Sequence, residues 1–259
     1  MRGCHETKAD IIRLWMTLTK CLSRCVWYLR IRRLGVRIPS RAQVKLSVPF
    51  TPGAFLLLVS DTSPMSTILV TGFEAFDKSS LNPSAEIVKA LNGDDLVSAI
   101  LPVVFGQASS QLKELIDLHK PTAVLCLGQA EGRSMMTPER IAINIDAARI
   151  PDNAGNQPKE QKIIANGADG YFSTLPIEQM VASMKAAGVP ASISPSAGTF
   201  VCNHIFYVMQ DYLKDSSITS GFMHVPLMDE QRREYPTLPT MPIRQMIAGV
   251  QISLDLLRV

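Results

Sequence analysis

No run of about 18 uncharged apolar residues, the length a helix needs to cross a bilayer, occurs in the chain; Phe55-Leu-Leu-Leu-Val-Ser is too short. No membrane partner is therefore expected. The five cysteines, Cys4, Cys21, Cys25, Cys126 and Cys202, form no disulfide spacing pattern. Their odd number, with no recognisable secretory signal, points to a reducing compartment, read as cytoplasmic. No C-x-x-C pair or H-E-x-x-H motif is found, which argues against a zinc site. There is no phosphate loop and no dinucleotide fingerprint. No cofactor or metal is expected. Internal repeats and low-complexity segments are absent too.

Tryptophan is scarce, and both copies, Trp15 and Trp27, lie in the first 64 residues. That part holds 11 of the 26 Lys and Arg but only Glu6, Asp10 and Asp61 as acids, a surplus of eight positive charges. The remainder carries 15 basic against 20 acidic residues, so the net charge of +3 hides a division near Met65. Three readings of the basic stretch compete. It resembles an organelle-targeting leader, or an arm for nucleic acid or a membrane surface, or it is no functional part of the protein, with Met65 the natural start. The last is adopted: residues 1–64 are expected to be disordered or foreign to the native chain, and no nucleic-acid partner is expected. Met65 leads at once into Ser-Thr-Ile-Leu-Val-Thr-Gly, a fitting first strand.

At 259 residues, 46% hydrophobic and 19% charged, the chain suits one large domain with an appendage. From Met65 onward strands and helices alternate. Ile68 to Val70, Val97 to Val104, Thr122 to Leu127 (closed by Gly128), Ala191 to Ser194 and Gly221 to Val225 read as strands. Ile141, Ile143 and Ile145 alternate with Ala142 and Asn144, predicting a strand with the isoleucines buried. Asn82-Pro-Ser opens a helix that ends before Gly93. Gln107 to Lys120 is a helix with Leu112, Leu115, Ile116 and His119 on one face. Pro176 to Ala187 is a helix stopped by Gly188. Phe200 to Leu213 is another, and Pro242 to Leu257 closes the chain with a stripe of Ile243, Met246, Ile247, Val250, Leu254 and Leu257. The pattern predicts a three-layer α/β/α sandwich with a twisted, mostly parallel but mixed sheet.

Three segments carry chemistry. In Ser194-Pro-Ser-Ala-Gly-Thr-Phe-Val-Cys-Asn-His, a loop runs into a helix whose first turn holds Cys202. Unpaired N–H groups there favour a thiolate, the reactive form. His224 ends an apolar strand before Pro226, at the sheet edge where open α/β folds bind ligands. Gly128 to Pro158 carries Glu139 and Arg140 before a strand, then a polar weave of Asp146, Arg149, Asp152 and Asn153, costly to desolvate unless paired or serving a site. Taken singly, Cys202 reads more readily as a buried structural thiol, and His224 as a satisfied core histidine. His204, two residues beyond Cys202 on the helix, points away from it, so a zinc site of Cys202, His204 and His224 is disfavoured.

Together these segments, with Thr71-Gly-Phe-Glu-Ala-Phe, Asn82-Pro-Ser, Ser196-Ala-Gly-Thr-Phe-Val-Cys-Asn and His224-Val-Pro, resemble the pyroglutamyl peptidase type I family over about Ile68 to Leu257. The resemblance implies a peptidase domain over 65–259 and a cysteine exopeptidase (an omega peptidase) that removes N-terminal pyroglutamate from peptides. It implies a catalytic triad of Glu139, Cys202 and His224. Phe73 and Phe76 would flank the lactam ring, with Asn82 and Gln129 as polar contacts and Arg149 near the developing charge. For Phe73 and Phe76 a purely structural core role is the competing reading. The family usually has Pro between the two phenylalanines and Gly-Gly after the second; here stand Ala75, Asp77 and Lys78. That departure keeps a second reading in view, a catalytically inactive relative that binds N-terminally blocked peptides. The resemblance also implies a homo-oligomer, often a tetramer.

Overall fold

Apolar runs alternating with amphipathic segments order themselves, over the residues 66–258 that the computed structural model describes, into three layers. The expectations for residues 1–64 lie outside the described residues. Strand β1 (Ile68–Phe73) is buried along its whole length and outlasts its expected end at Val70. It leads into α1 (Pro83–Ala90), which starts where Asn82 Oδ1 accepts from the Ser84 amide, with Pro83 in the first turn. Next come β2 (Leu96–Leu101), α2 (Gln107–His119) and the fully buried β3 (Ala123–Gln129). Short strands β4 (Thr137–Pro138), β5 (Ile141–Ile143) and β6 (Gly170–Phe172) precede α3 (Ile177–Ala186) and α4 (Val201–Leu213). The chain ends with β7 (Thr219–Val225), β8 (Leu227–Met228), a 3-10 helix (Asp229–Arg233), β9 (Thr240–Met241) and α5 (Ile243–Asp255).

The central sheet runs in the order β2-β1-β3-β7-β4. Its first four strands are parallel, and β4 lies antiparallel on β7 with Thr137 opposite His224. The expected mostly parallel, mixed sheet is what forms. Period-two alternation sends Ile68, Val70, Leu125, Leu127, Met223 and Val225 to one face, covered by α1, α3 and α5. Leu69, Val124, Cys126 and Phe222 go to the other, covered by α2 and α4. Buried on both sides, the central strands are the continuous apolar runs that a parallel sheet demands. On α5, Met246, Val250 and Leu254 are fully buried, and Ile243, Ile247 and Leu257 pack at the margin.

Several local expectations need correction. β2 stops at Leu101 rather than Val104, because Pro102 has no N–H to donate; the Val103 amide turns to Glu74 Oε1 at 3.2 Å. His119 is exposed, since the buried stripe of α2 narrows to Ala108, Ser109, Leu112 and Ile116. The face of β5 is reversed: Ala142 and Asn144 are buried while Ile145 is 41% exposed. Asn144 wins that position because its amide bonds the Ile164 N–H, the Ile164 carbonyl and the Gly167 carbonyl, a satisfaction isoleucine could not supply. The stretch from Ala191 to Ser194 touches the edge only through isolated parallel bridges, Met136 with Ala191 and Glu139 with Ser194.

Close packing of α1 against the end of β1 depends on Gly72. A Cβ there would stand 2.4 Å from the Ser84 carbonyl oxygen, a backbone atom that cannot step aside. Gly72→Ala is expected to cost about 1–3 kcal/mol of overpacking strain. Thermal unfolding should show it as a lower midpoint, by roughly 2–4 °C per kcal/mol; an unchanged midpoint would mean that α1 shifts freely.

Candidate active site

The strand order reverses at β1, which sends the chain out to β2 on one side and to β3 on the other. Crevices beyond the C-terminal ends of parallel strands at such a switch are where open α/β sheets bind ligands. A cavity of about 280 Å³ opens here, lined at the ends of β1, β3 and β7 by Phe73, Gln129 and His224. Cys202, Phe76 and Asn82 share its wall. Six of the residues singled out from sequence thus meet in one place.

The pleat explains the convergence. His224 sits two residues beyond Phe222, so both face α4, the helix that carries Cys202 in its first turn. The Glu139 amide donates to the Phe222 carbonyl at 2.9 Å, which continues the β4–β7 pairing and puts the Glu139 side chain on that same face. Glu139 Oε1 then lies 2.7 Å from His224 Nδ1, with the carboxylate wholly buried. Since a carboxylate only accepts, Nδ1 carries the proton and Nε2 is left as the basic nitrogen. Arg133 Nη1 donates to the same Oε1 at 2.6 Å and also to Thr137 Oγ1.

These contacts decide the charges. Burial alone would raise the Glu139 carboxyl, but the hydrogen bond and charge of His224, with Ser194 and Arg133 behind them, hold it below its ordinary value. Burial pushes the His224 imidazole down despite Glu139. Cys202 departs from expectation. The tight packing around its sulfur pushes the thiol up to about 12, the Glu139 charge adding to the rise and Arg133 opposing it. The helix N-terminus does not outweigh burial, so the resting pair is a neutral thiol and a neutral imidazole. Gly128 provides the room: a Cβ there would stand 2.7 Å from the Phe222 ring and 2.9 Å from the Cys202 sulfur. The first bond within α4 runs from the His204 amide to the Phe200 carbonyl, so the N–H groups of Cys202 and Asn203 precede it without a helical partner. Asn203 locks this turn to β5, through the Ile143 N–H and carbonyl and the Ile145 carbonyl.

The polar weave noted in the sequence supports the cavity from outside. Burial would raise the Asp152 carboxyl, but the Asn156 side-chain amide, with the backbone amides of Phe105, Asn156 and Ala154, keeps it low. Its neighbour Asn153 donates to Glu74 Oε1 at 2.8 Å and to the Ala75 carbonyl at 2.9 Å. The loop between Phe73 and Phe76 is therefore held by Asn153 in place of a proline. Asp77 adopts φ 55°, the left-handed region that favours the family's glycine. Phe73 is both core and cavity wall, packing on Phe222 with ring centroids 6.4 Å apart. Phe76 packs on Phe200 at 6.2 Å.

Two residues behave otherwise. Arg149 is exposed and does not line the cavity; its carbonyl accepts from Gln157, and the neighbouring Ala148 amide donates to the Pro158 carbonyl. The arginine that does line it is Arg133, overlooked because a loop residue reaching back to a strand leaves no periodic signal. His204 turns to Asp146, 2.8 Å away, and its other nitrogen approaches the Gly106 amide and Ser109 Oγ, each at 3.3 Å. Among the described residues no group of three or more His, Cys, Asp or Glu side chains is arranged to hold a metal ion, and no helix is long and apolar enough to cross a membrane.

A thiol and an imidazole facing one cavity, the imidazole backed by a buried carboxylate, define the class of cysteine-type hydrolases. The chain belongs to the family described as pyroglutamyl peptidase, whose sequence profile matches residues 66–258. It is 46% identical over 194 residues to a pyrrolidone-carboxylate peptidase of Aliivibrio fischeri, covering 73% of this chain and 91% of that one. A pyrrolidone-carboxylate peptidase of Bacillus cytotoxicus is 43% identical over 198 residues, 74% of this chain and 92% of its own. Among solved structures, pyroglutamyl peptidase I from Bacillus amyloliquefaciens superposes with a TM-score of 0.73 at 40% identity, over 75% of this chain and 95% of that one. The pyrrolidone carboxyl peptidase from Thermococcus litoralis gives 0.70 at 34% identity, over 74% and 93%.

Arg133 holds His224 down as well as helping to keep Glu139 ionised. In Arg133→Met that positive charge is gone, so the imidazole accepts a proton more readily. Its titration midpoint, followed by NMR of the ring protons, should move up from the wild-type value. A midpoint unmoved or lowered would show that Arg133 does not act on the imidazole.

Proposed function

We propose that the chain is a cysteine exopeptidase that hydrolyses the bond after an N-terminal pyroglutamyl residue, with Cys202 as nucleophile, His224 as general base and acid, and Glu139 orienting the imidazole. The observation that carries the reading is the shared cavity. Cys202 and His224 open into the same space as Phe73, Phe76 and Gln129, and that space suits a small flat ring. A small, half-open pocket of about 280 Å³ favours removal of one terminal residue over cleavage within a chain.

The chemistry follows from the neutral resting pair. As Sγ attacks the pyroglutamyl carbonyl carbon, its proton passes to His224 Nε2, and the imidazolium that forms is stabilised by Glu139. Charge on the carbonyl oxygen is met by the free N–H groups of the first turn of α4. The C–N bond then breaks, and His224 returns the proton to the departing amine. A water molecule, deprotonated by His224, attacks the thioester; the C–S bond breaks and the thiol regains a proton as pyroglutamate leaves. Phe73 and Phe76 supply the apolar walls for the lactam. Asn82 contributes through its position: its Nδ2 donates to the Glu74 carbonyl and its Oδ1 caps α1, so it holds the pocket loop. We assign Arg149 no direct contact. A protein whose Cys126 and Cys202 are both free fits a reducing compartment, which supports a cytoplasmic setting. The family resemblance supports a homo-oligomer.

Cys202→Ala should abolish hydrolysis of a pyroglutamyl amide reporter while circular dichroism and the melting midpoint stay near wild type. Retained turnover would remove the nucleophile assignment. A thiol-alkylating reagent should inactivate the enzyme and a chelator should not.

Because His224 is held below the ordinary histidine value of about 6.5 and the thiol stays protonated until about 12, kcat/KM should rise through a single step below about pH 6.5. It should then stay level to about pH 9. A bell with an alkaline limb near pH 8 would instead mean that a thiolate–imidazolium pair exists before substrate arrives.

A further inference from the structure

Gln129 ends β3 at the cavity wall, with only 6% of its surface exposed. Its Oε1 accepts a hydrogen bond, yet its Nε2 is buried without a partner. An unpaired buried donor is costly, and at a cavity wall a ligand is one partner that can complete it. The partner of Oε1 is Gln231, a wholly buried residue of the 3-10 helix that no motif marked. Gln231 Nε2 donates to Gln129 Oε1 at 2.9 Å, and lies 3.1 Å from both Ser79 Oγ and the Leu81 carbonyl.

The direction of this chain of bonds is forced. The Met228 amide can only donate, and it meets Gln231 Oε1 at 3.1 Å. The Leu81 carbonyl can only accept, and it meets Gln231 Nε2. Both backbone groups therefore fix the same end of the Gln231 amide toward Gln129. Facing a donor, Gln129 must present its oxygen, which leaves its buried NH2 group without a partner in a residue that lines the cavity. Had Gln231 been an acceptor at this point, Gln129 would turn over and offer an oxygen instead.

We propose that Gln231 is a positioning residue for specificity: it sets the polarity of the Gln129 amide so that the pocket offers a hydrogen-bond donor to the ring carbonyl of the substrate. This rests on the reading of Gln129 as a substrate contact given above. A five-membered ring with a carbonyl then satisfies the donor, whereas proline, with the same ring and no carbonyl, leaves it unpaired. Contacts to Ser79 and Leu81 also tie Gln231 to the loop that follows Phe76.

The test is a cycle of Gln231→Met, Gln129→Met and the double variant, assayed on a pyroglutamyl amide reporter with melting midpoints recorded for each. Gln231→Met should lower kcat/KM by about 10- to 100-fold, carried mainly in KM. The double variant should be no worse than Gln129→Met alone, because Gln231 acts through Gln129. Losses that multiply would overturn the proposal, since a merely structural role predicts that result. The unaltered protein provides a readout that needs no variant to fold. On titration with 2-pyrrolidone, the side-chain NH2 signals of Gln129 should shift in NMR spectra and those of Gln231 should move little. Binding of the lactam with the Gln129 NH2 signals unmoved overturns the proposal. A wild-type enzyme inactive on the reporter defeats the functional reading itself and this inference with it; wild-type activity with multiplying losses defeats the inference alone.

Discussion

The hydrogen bond between Glu139 and His224 is the constraint on which the rest of the site depends. It joins a wholly buried carboxylate to a nearly buried imidazole at 2.7 Å. Taking a charge out of water costs several kcal/mol unless it is paired and hydrogen-bonded. Here the pairing comes from two sides, since Arg133 reaches the same oxygen at 2.6 Å. The edge strand that brings Glu139 in runs antiparallel to β7, and this pairing puts Glu139 opposite Phe222 and diagonal to His224 on the α4 side. One reversed strand at the sheet edge is the structural cost of assembling the site.

The cavity is a product of topology and of side-chain size acting together. Three parallel strands end at one level, and each contributes its last or next-to-last residue to the wall. Gly128 keeps the sulfur and the Phe222 ring within contact distance, a spacing that any side chain would break. Outside the wall, Asn153 ties down the loop between Phe73 and Phe76 through Glu74 Oε1 and the Ala75 carbonyl. This gives the loop stiffness where the family's proline is missing. In our proposal the polarity of the Gln129 amide is set by Gln231, its hydrogen-bond partner on the 3-10 helix.

Much of this was legible before any coordinates. The apolar runs at Ile68 and Ala123 mark central strands because burial on both faces leaves no room for polar residues. Asn82-Pro83 marks a helix start because the side chain and the missing N–H each answer a terminal donor. Gly188, at φ 76°, ends α3 in the left-handed conformation that its lack of a Cβ allows. The face of β5 was misjudged, since alternation alone cannot tell an apolar face from a buried amide that finds three backbone partners. Sequence reasoning names Arg149 and passes over Arg133 for a similar reason. Both lie in the same segment, but only the fold decides which loop folds back over the carboxylate.

The sequence by itself determined the layers, the order of strands and helices, and the residue types able to do thiol chemistry, since periodicity and capping are local properties of a chain. Tertiary structure alone decided the ionisation of that chemistry. A helix N-terminus favours a thiolate, but desolvation and the Glu139 charge push the Cys202 thiol up to about 12. Desolvation and charge act through space, between residues up to 85 positions apart in the chain, and no local pattern records them.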